Sequence, residues 1–469
     1  MAFSSHSEPL TIIIFGATGD LSRTKLLAAL MDLSCSGCLP ADTRIVGVAR
    51  KELTDEEFQA MARKAIDRKA HEHPPERVEE YLARLRYLSG DFTEYEMYPM
   101  MAQYLQAQDA ERGVCSNKLY YLSVQPSLYE PIFEQLAHSG LSIPCAGVSW
   151  VRIAVEKPFG HDSESAAQLD QKLTALFAEE QIFRIDHYLA KEAMENIIVF
   201  RFSNALFEPS WNAEHIESVH IRFLEPNGIG SRGNFYEDVG ALRDVGQNHL
   251  LQMLAFVAMD DPKSLAADAI RAEREKVLGA LVPLSPDELA SVVKGQYASY
   301  RTEADVAEDS TIETYFTLTT HLDLPRWRGV PFVLEAGKGM HEHRIDITIV
   351  FKPIDSCIGS KDASDEVRKN RLTFTMQPEE SITLTFFAKK RGFSMATEEK
   401  TFSFNYAEGT ERLRDAYEKL LLDCIRGDQT LFTTGKEVAA AWRYITPILR
   451  HRHNREPVIY EDNTPGPAR

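Results

Sequence analysis

Thr11-Ile12-Ile13-Ile14-Phe15 runs directly into Gly16-Ala17-Thr18-Gly19-Asp20-Leu21-Ser22. The first stretch is β-branched and apolar, the pattern of a short buried strand. Glycines after it let the backbone turn tightly and approach a pyrophosphate. That charge then meets the free N–H groups where the next helix begins. Leu26 to Leu33 continues at helical spacing, and Arg44 to Ala49 supplies a second buried strand. The G-x-x-G form is looser than G-x-G-x-x-G, and G-x-x-x-x-G-K-[ST] is absent, so a P-loop is excluded. Strand, glycine turn, helix and strand in this order point to a dinucleotide site built on Gly16, Ala17, Thr18, Gly19, Asp20 and Leu21. A plain structural turn is the competing reading.

The same alternation continues outward. Thr54 caps a helix opening on Asp55, Glu56 and Glu57, acids placed where a helix amino terminus favours them. Arg63 to Glu80 reads as solvated helix and loop. Lys118 to Val124 and Val151 to Val155 read as strands ended by Pro126 and Pro158, and Ser163 to Glu180 as a helix. Strands separated by helices predict a mostly parallel, doubly wound α/β nucleotide-binding (Rossmann-like) domain over 1–181. From about Ile182 the pattern changes. Ile197 to Phe202, Glu217 to Phe223, Thr311 to Leu318, Arg344 to Phe351, Arg371 to Met376 and Ser381 to Phe387 are strand-like, several with apolar and polar residues alternating. His249 to Met259 reads as an apolar helix. The expectation for 182–469 is a larger α+β domain with a mostly antiparallel sheet, for substrate binding and oligomerisation.

Composition narrows the function. Among 469 residues, 52 basic and 70 acidic side chains give a formal charge of −18, which disfavours nucleic acid and anionic membranes as partners. A few lysines in a cleft can still hold a small anion, because salt screens the distant field within about 10 Å. No run approaches a membrane span, and the amino terminus lacks the pattern of a secretory signal. The six scattered cysteines suit a reducing, cytoplasmic setting without disulfides. Cys35 and Cys38 have no Cys or His nearby to complete a metal site, and no metal is expected.

Four groups of residues carry candidate chemistry. The second strand ends at Arg50-Lys51 with no carboxylate for a ribose 2′-hydroxyl. Arg50, with Arg23 and Lys25 on the first helix, therefore favours NADP over NAD, against a solvated charge pair. Lys157, in Glu156-Lys157-Pro158-Phe159-Gly160, follows a strand at the carboxyl edge where open sheets bind ligands. In Arg184-Ile185-Asp186-His187-Tyr188-Leu189-Ala190-Lys191-Glu192, a helix would set His187 and Lys191 on one face beside Tyr188. That face would suit a phosphate; the alternative is an amphipathic helix start with a surface salt bridge. Finally, Asp244, Gln247, Asn248 and His249 flank an apolar helix. They either satisfy one another or present His249 as a general base, whose intrinsic pKa near 6.5 suits proton abstraction.

Across its whole length the chain resembles the glucose-6-phosphate dehydrogenase family. The likeness is carried by GATGDLSRTK (16–25), VARKELT (48–54), YLSVQPSLYE (121–130), EKPFG (156–160), RIDHYLAKE (184–192), RFSNALFEPSWN (201–212), GALRDVGQNHLLQMLA (240–255) and GVPFVLEAGK (329–338). The resemblance implies oxidation of glucose 6-phosphate at C1 with hydride transfer to NADP, and a homodimer or homotetramer. It implies His249 as the proton acceptor, Asp186 as its orienting carboxylate, and His187, Tyr188 and Lys191 as the phosphate clamp. Glu225, Asp244 and Lys338 would meet sugar hydroxyls, Lys157 both sugar and cofactor, and Gly16, Gly19, Asp20, Leu21, Arg23, Lys25 and Arg50 the cofactor.

The chain departs from the family pattern in three places. A basic residue common after the G-K lysine falls on His343, Glu335 stands where arginine is common, and Gln125 replaces a proline. These leave room for another sugar or sugar phosphate. A non-catalytic homologue would be expected to lose the base or the glycine turn, and both are present.

Overall fold

The computed structural model describes residues 8–68, 73–147, 149–354, 368–406, 412, 414–451 and 456–467. The chain divides into two compact units. One comprises Met1–Gly160, Glu164–Ala190 and Arg414–Gly435; the other comprises His161–Ser163, Lys191–Leu413 and Lys436–Arg469.

In the first unit, β1 (Leu10–Phe15), β2 (Thr43–Ala49), β3 (Leu85–Ser89), β4 (Asn117–Leu122), β5 (Val151–Val155) and β6 (Ile182–Arg184) form a sheet in the order β3-β2-β1-β4-β5-β6. Every pairing is parallel. All residues of β1 and β4 are buried, which is why these strands read as continuous runs instead of alternating ones. The chain reverses its direction of winding between β1 and β4, so the crevice for a ligand opens at the carboxyl end of β1, where the glycine turn lies. Thr54 caps helix Asp55–Asp67 reciprocally: its hydroxyl accepts from Glu57 N at 3.2 Å, and the Glu57 carboxylate accepts from Thr54 N at 2.9 Å.

The boundary expected after residue 181 falls too early. Ile182–Arg184 pairs with β5 as the sixth strand, and the unit continues to Ala190. More surprising for a local reading, Arg414–Gly435 returns to this unit. Its helix Ala416–Arg426 receives hydrogen bonds from Arg152 at the carbonyls of Cys424 (2.8 Å) and Ile425 (2.6 Å). Gln429 donates to the carbonyls of Glu179 and Ile182 at 2.9 and 2.8 Å.

The second unit is built on β7 (Ile216–Leu224), β8 (Val293–Tyr297), β9 (Tyr315–Thr320), β10 (Phe332–Gly337), β11 (Arg344–Phe351), β12 (Arg371–Gln377), β13 (Ser381–Lys389), β14 (Thr397–Asn405) and β15 (Val458–Tyr460). They pair in the order β14-β13-β12-β11-β7-β10-β9-β8-β15. Only β7–β10 and β8–β15 are parallel, so the sheet is mostly antiparallel as expected.

Three local expectations are corrected. Ile197 to Phe202 is not a strand but the end of helix Glu192–Phe202. Ala193, Met194, Ile197, Ile198 and Arg201 are buried at helical spacing, and tertiary packing overrides the β preference of the Ile-Ile-Val-Phe run. The strand expected from Thr311 begins at Tyr315. Cys115 and Cys145 are paired as a disulfide with Cα atoms 5.9 Å apart, whereas scattered positions suggested none. The pairing of Lys118 with Val151 draws the segments before β4 and β5 together, which sequence distance hides. Cys357 lies outside the described residues. No helix among those residues is long and apolar enough to cross a membrane.

Candidate active site

The first unit gathers its candidate residues at the carboxyl ends of its parallel strands. After β1, Gly16 adopts φ +77° and accepts at its carbonyl from Gly19 N at 2.9 Å, closing the turn. A Cβ on Gly16 would stand 2.1 Å from the Ser123 carbonyl oxygen, and one on Gly19 3.1 Å from the Gly16 carbonyl. Gly16 is therefore required by the turn itself, whereas a side chain on Gly19 would only press on that carbonyl. Gly16, Ala17, Thr18, Gly19, Asp20 and Leu21 thus form one continuous bend leading into a wide π-type turn, Ser22–Leu26, and helix Leu27–Cys35. Arg23 is paired with Asp20, and Lys25 donates to Asp415 at 3.1 Å on the returning segment. Arg50 is exposed just beyond β2.

After β5 comes Glu156, then Lys157 with a cis bond to Pro158. Tyr121 of β4 donates to the Glu156 carboxylate at 2.5 Å, and Tyr129 donates to the Glu156 carbonyl at 2.8 Å. Burial pushes the Glu156 carboxyl up to about 7, against the opposing pull of the Tyr121 hydrogen bond and Lys157 and with a further push from Asp186. Past β6, Asp186 is buried, and its carboxylate accepts from Tyr188 N at 3.1 Å. The next residues form a turn, not a helix, so His187 and Lys191 do not share a helical face. A hydrogen bond from Leu189 N to Asp186 O closes this turn at 3.1 Å. The His187 ring lies parallel to Tyr417 (centroids 6.0 Å apart, 14°) and against Tyr188 at 4.6 Å.

The second unit holds the remaining candidates. Lys191 precedes helix Glu192–Phe202 in an extended conformation, with its ammonium 3.7 Å from the buried Glu380 carboxylate. Glu380 also accepts from Ala193 N at 2.8 Å. Burial raises its pKa, opposed by that backbone bond and by Lys191.

Leu242–Leu250 is a π-type segment, a widened winding that recurs at functional sites, and it carries Asp244 and His249. It starts at a kink where Gly240 has φ +66°, and Leu242 N there donates to Glu313 at 3.1 Å. His249 is 1% exposed, and its ring lies parallel to Phe223 of β7 (5.8 Å, 14°). Asn248 ties the segment by donating to the carbonyls of Arg243 and Asp244 at 3.2 and 2.9 Å.

Glu225, one residue past β7, accepts from Lys338, one residue past β10, at 2.5 Å. The parallel pairing of β7 with β10 sets these two ends side by side, a proximity no spacing rule reveals. The Lys338 ammonium also lies 5.7 Å from the ring of buried Tyr236. Burial and the carboxylates of Asp244, Glu313 and Glu225 drive the Tyr236 phenol well above its usual range. His343 is exposed before β11, and Glu335 accepts from Tyr315 at 2.6 Å.

The geometry thus brings together Glu225 with Lys338, Asp244 with His249 along one segment, and Asp186 with His187 and Tyr188 in one turn. Glu380, Glu313 and Tyr417 were missed. Each is distant in sequence from its partner, and only the capping-like placement of Asp415 before Tyr417 offered a local signal.

Comparison with known proteins identifies the family. The family model "Glucose-6-phosphate dehydrogenase, NAD binding domain" matches residues 13–196, and "Glucose-6-phosphate dehydrogenase, C-terminal domain" matches 198–469. Glucose-6-phosphate 1-dehydrogenase 2 of Mycobacterium tuberculosis is 38% identical over 475 residues, covering 98% of this chain and 91% of that protein. The cytoplasmic glucose-6-phosphate 1-dehydrogenase 5 of Arabidopsis thaliana is 38% identical over 474 residues, covering 99% and 90%. A solved glucose-6-phosphate dehydrogenase in complex with glucose 6-phosphate superposes with a TM-score of 0.89 at 33% identity, covering 98% of this chain and 96% of that one. With two family models covering nearly every residue and relatives matched end to end, the chain belongs to the glucose-6-phosphate dehydrogenase family.

Proposed function

We propose that this protein oxidises the C1 hydroxyl of glucose 6-phosphate to the 6-phospholactone with NADP. The observation that carries this reading is the likeness, over 98% of the chain, to an enzyme solved with glucose 6-phosphate. The residues present fit a dinucleotide: the Gly16 turn leaves no room for a side chain, and it sits where the sheet reverses its winding. When bound, the nicotinamide accepts the C1 hydride. Gly16 to Leu21 would hold the pyrophosphate against the helix start, with Arg23, Lys25 and Arg50 as the nearby cations and Lys157 serving both ligands.

His249 takes the proton of the C1 hydroxyl on an imidazole nitrogen, so that no protonated carbonyl develops. Asp186 fixes the tautomer of that imidazole and stabilises its cation, an assignment resting on family likeness. His187, Tyr188 and Lys191 hold the phosphate. Glu225, Asp244 and Lys338 hold sugar hydroxyls, and His343 flanks them. The Lys338–Glu225 pair supplies a donor and an acceptor 2.5 Å apart, which suits adjacent hydroxyl groups.

The protein also works as a cytoplasmic homo-oligomer, a dimer or tetramer formed through the second sheet. Phe402 and Phe404 of β14 are 66% and 57% exposed, an apolar edge that a second copy would cover. Sedimentation giving only monomer at micromolar concentration would contradict this.

Initial rates with NADP and NAD against glucose, glucose 6-phosphate and other hexose phosphates test the activity. The expected pair is glucose 6-phosphate with NADP, and His249→Asn should lower kcat about 100-fold or more. Higher kcat/KM for an unphosphorylated sugar would overturn the reading.

A further inference from the structure

Glu156 is buried just past the carboxyl end of β5, and both of its polar groups are held by tyrosines from other elements. Tyr121 of β4 donates to its carboxylate at 2.5 Å, and Tyr129, on helix Tyr129–His138, donates to its carbonyl at 2.8 Å. Both tyrosines are fully buried. The second bond fixes the peptide that leads into Lys157, so the lysine ammonium swings on its four-carbon stem from an anchored backbone. Ile185 N donates to Val155 O at 2.9 Å, which ties the segment carrying Asp186 to the end of β5. Asp186 acts on the Glu156 carboxyl, and that carboxyl acts in turn on Tyr417 and Cys424 of helix Ala416–Arg426. Burial drives the phenols of Tyr121, Tyr129 and Tyr417 and the Cys424 thiol upward, so all four stay neutral near pH 7. Among these neighbours, Lys157 favours the charged form of Glu156 and Asp186 opposes it. The carboxyl is thus set between a burial that keeps its proton and an ammonium that favours losing it.

We infer that Glu156 is a positioning residue for Lys157: protonated, it leaves the ammonium to the ligands, and ionised, it draws the ammonium back toward the sheet. The inference rests on the reading of Lys157 as the group shared by sugar and cofactor. The proton on Glu156 then sets how much of the lysine charge a bound sugar phosphate receives. By linkage the control runs both ways. A ligand that engages Lys157 takes away the charge that favours ionised Glu156, so the carboxyl takes up a proton from solvent on binding. The lysine side chain alone has to move, because Tyr121 and Tyr129 anchor Glu156 through its carboxylate and its carbonyl.

Two readouts on the full chain test this, and neither needs turnover. Calorimetric titration with glucose 6-phosphate compares wild type with Glu156→Gln, which cannot ionise. Between about pH 6 and about pH 8.5, the affinity of the variant relative to wild type should rise about five-fold or more. Titration of the ligand phosphate and of other side chains cancels in that ratio. Infrared difference spectra follow the carboxylic C=O stretch that Glu156→Gln removes. In wild type it should fade as pH rises through about 7. With glucose 6-phosphate bound, the midpoint should move up by about 0.7 of a pH unit or more, the counterpart of the five-fold change in affinity. Lys157→Met should raise the midpoint in the free protein, and Tyr121→Phe should raise both the midpoint and the pH at which the two affinities diverge. An affinity ratio constant with pH, the mark of a merely structural Glu156, would overturn the inference, as would a midpoint unmoved in Lys157→Met. Failure of the function reading gives a different result: no glucose 6-phosphate bound by either protein, while the infrared midpoint still rises in Lys157→Met.

Discussion

Replacing Glu156 by Gln should change how stability depends on pH, and the structure sets the size of the effect. The Glu156 carboxyl is enclosed between β4 and β5, held by the Tyr121 hydroxyl, and burial raises its pKa to about 7 against 4.5 for the free side chain. Below pH 4.5 the group is protonated in both folded and unfolded chains, and its contribution to stability is fully present. Between 4.5 and 7 the unfolded chain has released the proton and the folded chain has kept it, so stability falls as pH rises. At about 1.4 kcal/mol per pH unit, the loss accumulates to about 3 kcal/mol, and above 7 it is complete. Glutamine keeps an oxygen to accept from Tyr121 and has no proton to lose. Urea unfolding of wild type and Glu156→Gln from pH 4.5 to 8 should therefore show the variant gaining about 3 kcal/mol relative to wild type across that span. Tyr121→Phe removes a hydrogen bond that favours the charged form, so it should move the wild-type transition to higher pH. Parallel pH profiles for wild type and Glu156→Gln would refute the claim that this carboxyl is protonated in the folded protein.

The glycine turn and the proposed phosphate clamp give further tests. Gly16→Ala places a Cβ 2.1 Å from the Ser123 carbonyl at φ +77°, so stability should drop by about 2 kcal/mol or more and NADP affinity should fall with it. Thermal unfolding and cofactor titration check this, and unchanged values for both would contradict the account. Lys191→Ala should raise KM for glucose 6-phosphate about ten-fold or more with little change in kcat, and should leave free glucose unaffected. An equal penalty on both sugars would point to damage at the buried Glu380 that Lys191 faces.

Much of the first unit was legible because its signals are local. A β-branched strand running into a glycine turn, a Thr54 cap before an acidic first turn and the strand Val151–Val155 ahead of Pro158 each act over a few residues, and each is found where expected. What failed involved contacts that chain distance hides. Glu192–Phe202 reads as a strand only if the window opens at Ile197; from Glu192 the buried residues fall at helical spacing. His187 and Lys191 looked like one helical face, yet the chain spends those residues on a turn. The candidate residues were legible as a set through family motifs, but their local partners were not. Glu225 meets Lys338 across 113 positions and Lys191 meets Glu380 across nearly 190, because parallel pairing and sheet order decide those contacts.

The return of Arg414–Gly435 to the first unit bears on how the chain is made. A ribosome finishes Ala190 long before it reaches the helix that Arg152 and Gln429 anchor. The intervening stretch, translated at about 5–20 residues per second, takes roughly 11–45 seconds. Throughout that interval the nascent unit lacks the helix that carries Tyr417 and Cys424, both buried in the finished protein, leaving apolar surface for holding chaperones to engage. Slowing translation between residues 191 and 413 should therefore lower the soluble yield, and chain release after residue 413 should leave the nucleotide unit unfinished however completely its first 190 residues were synthesised.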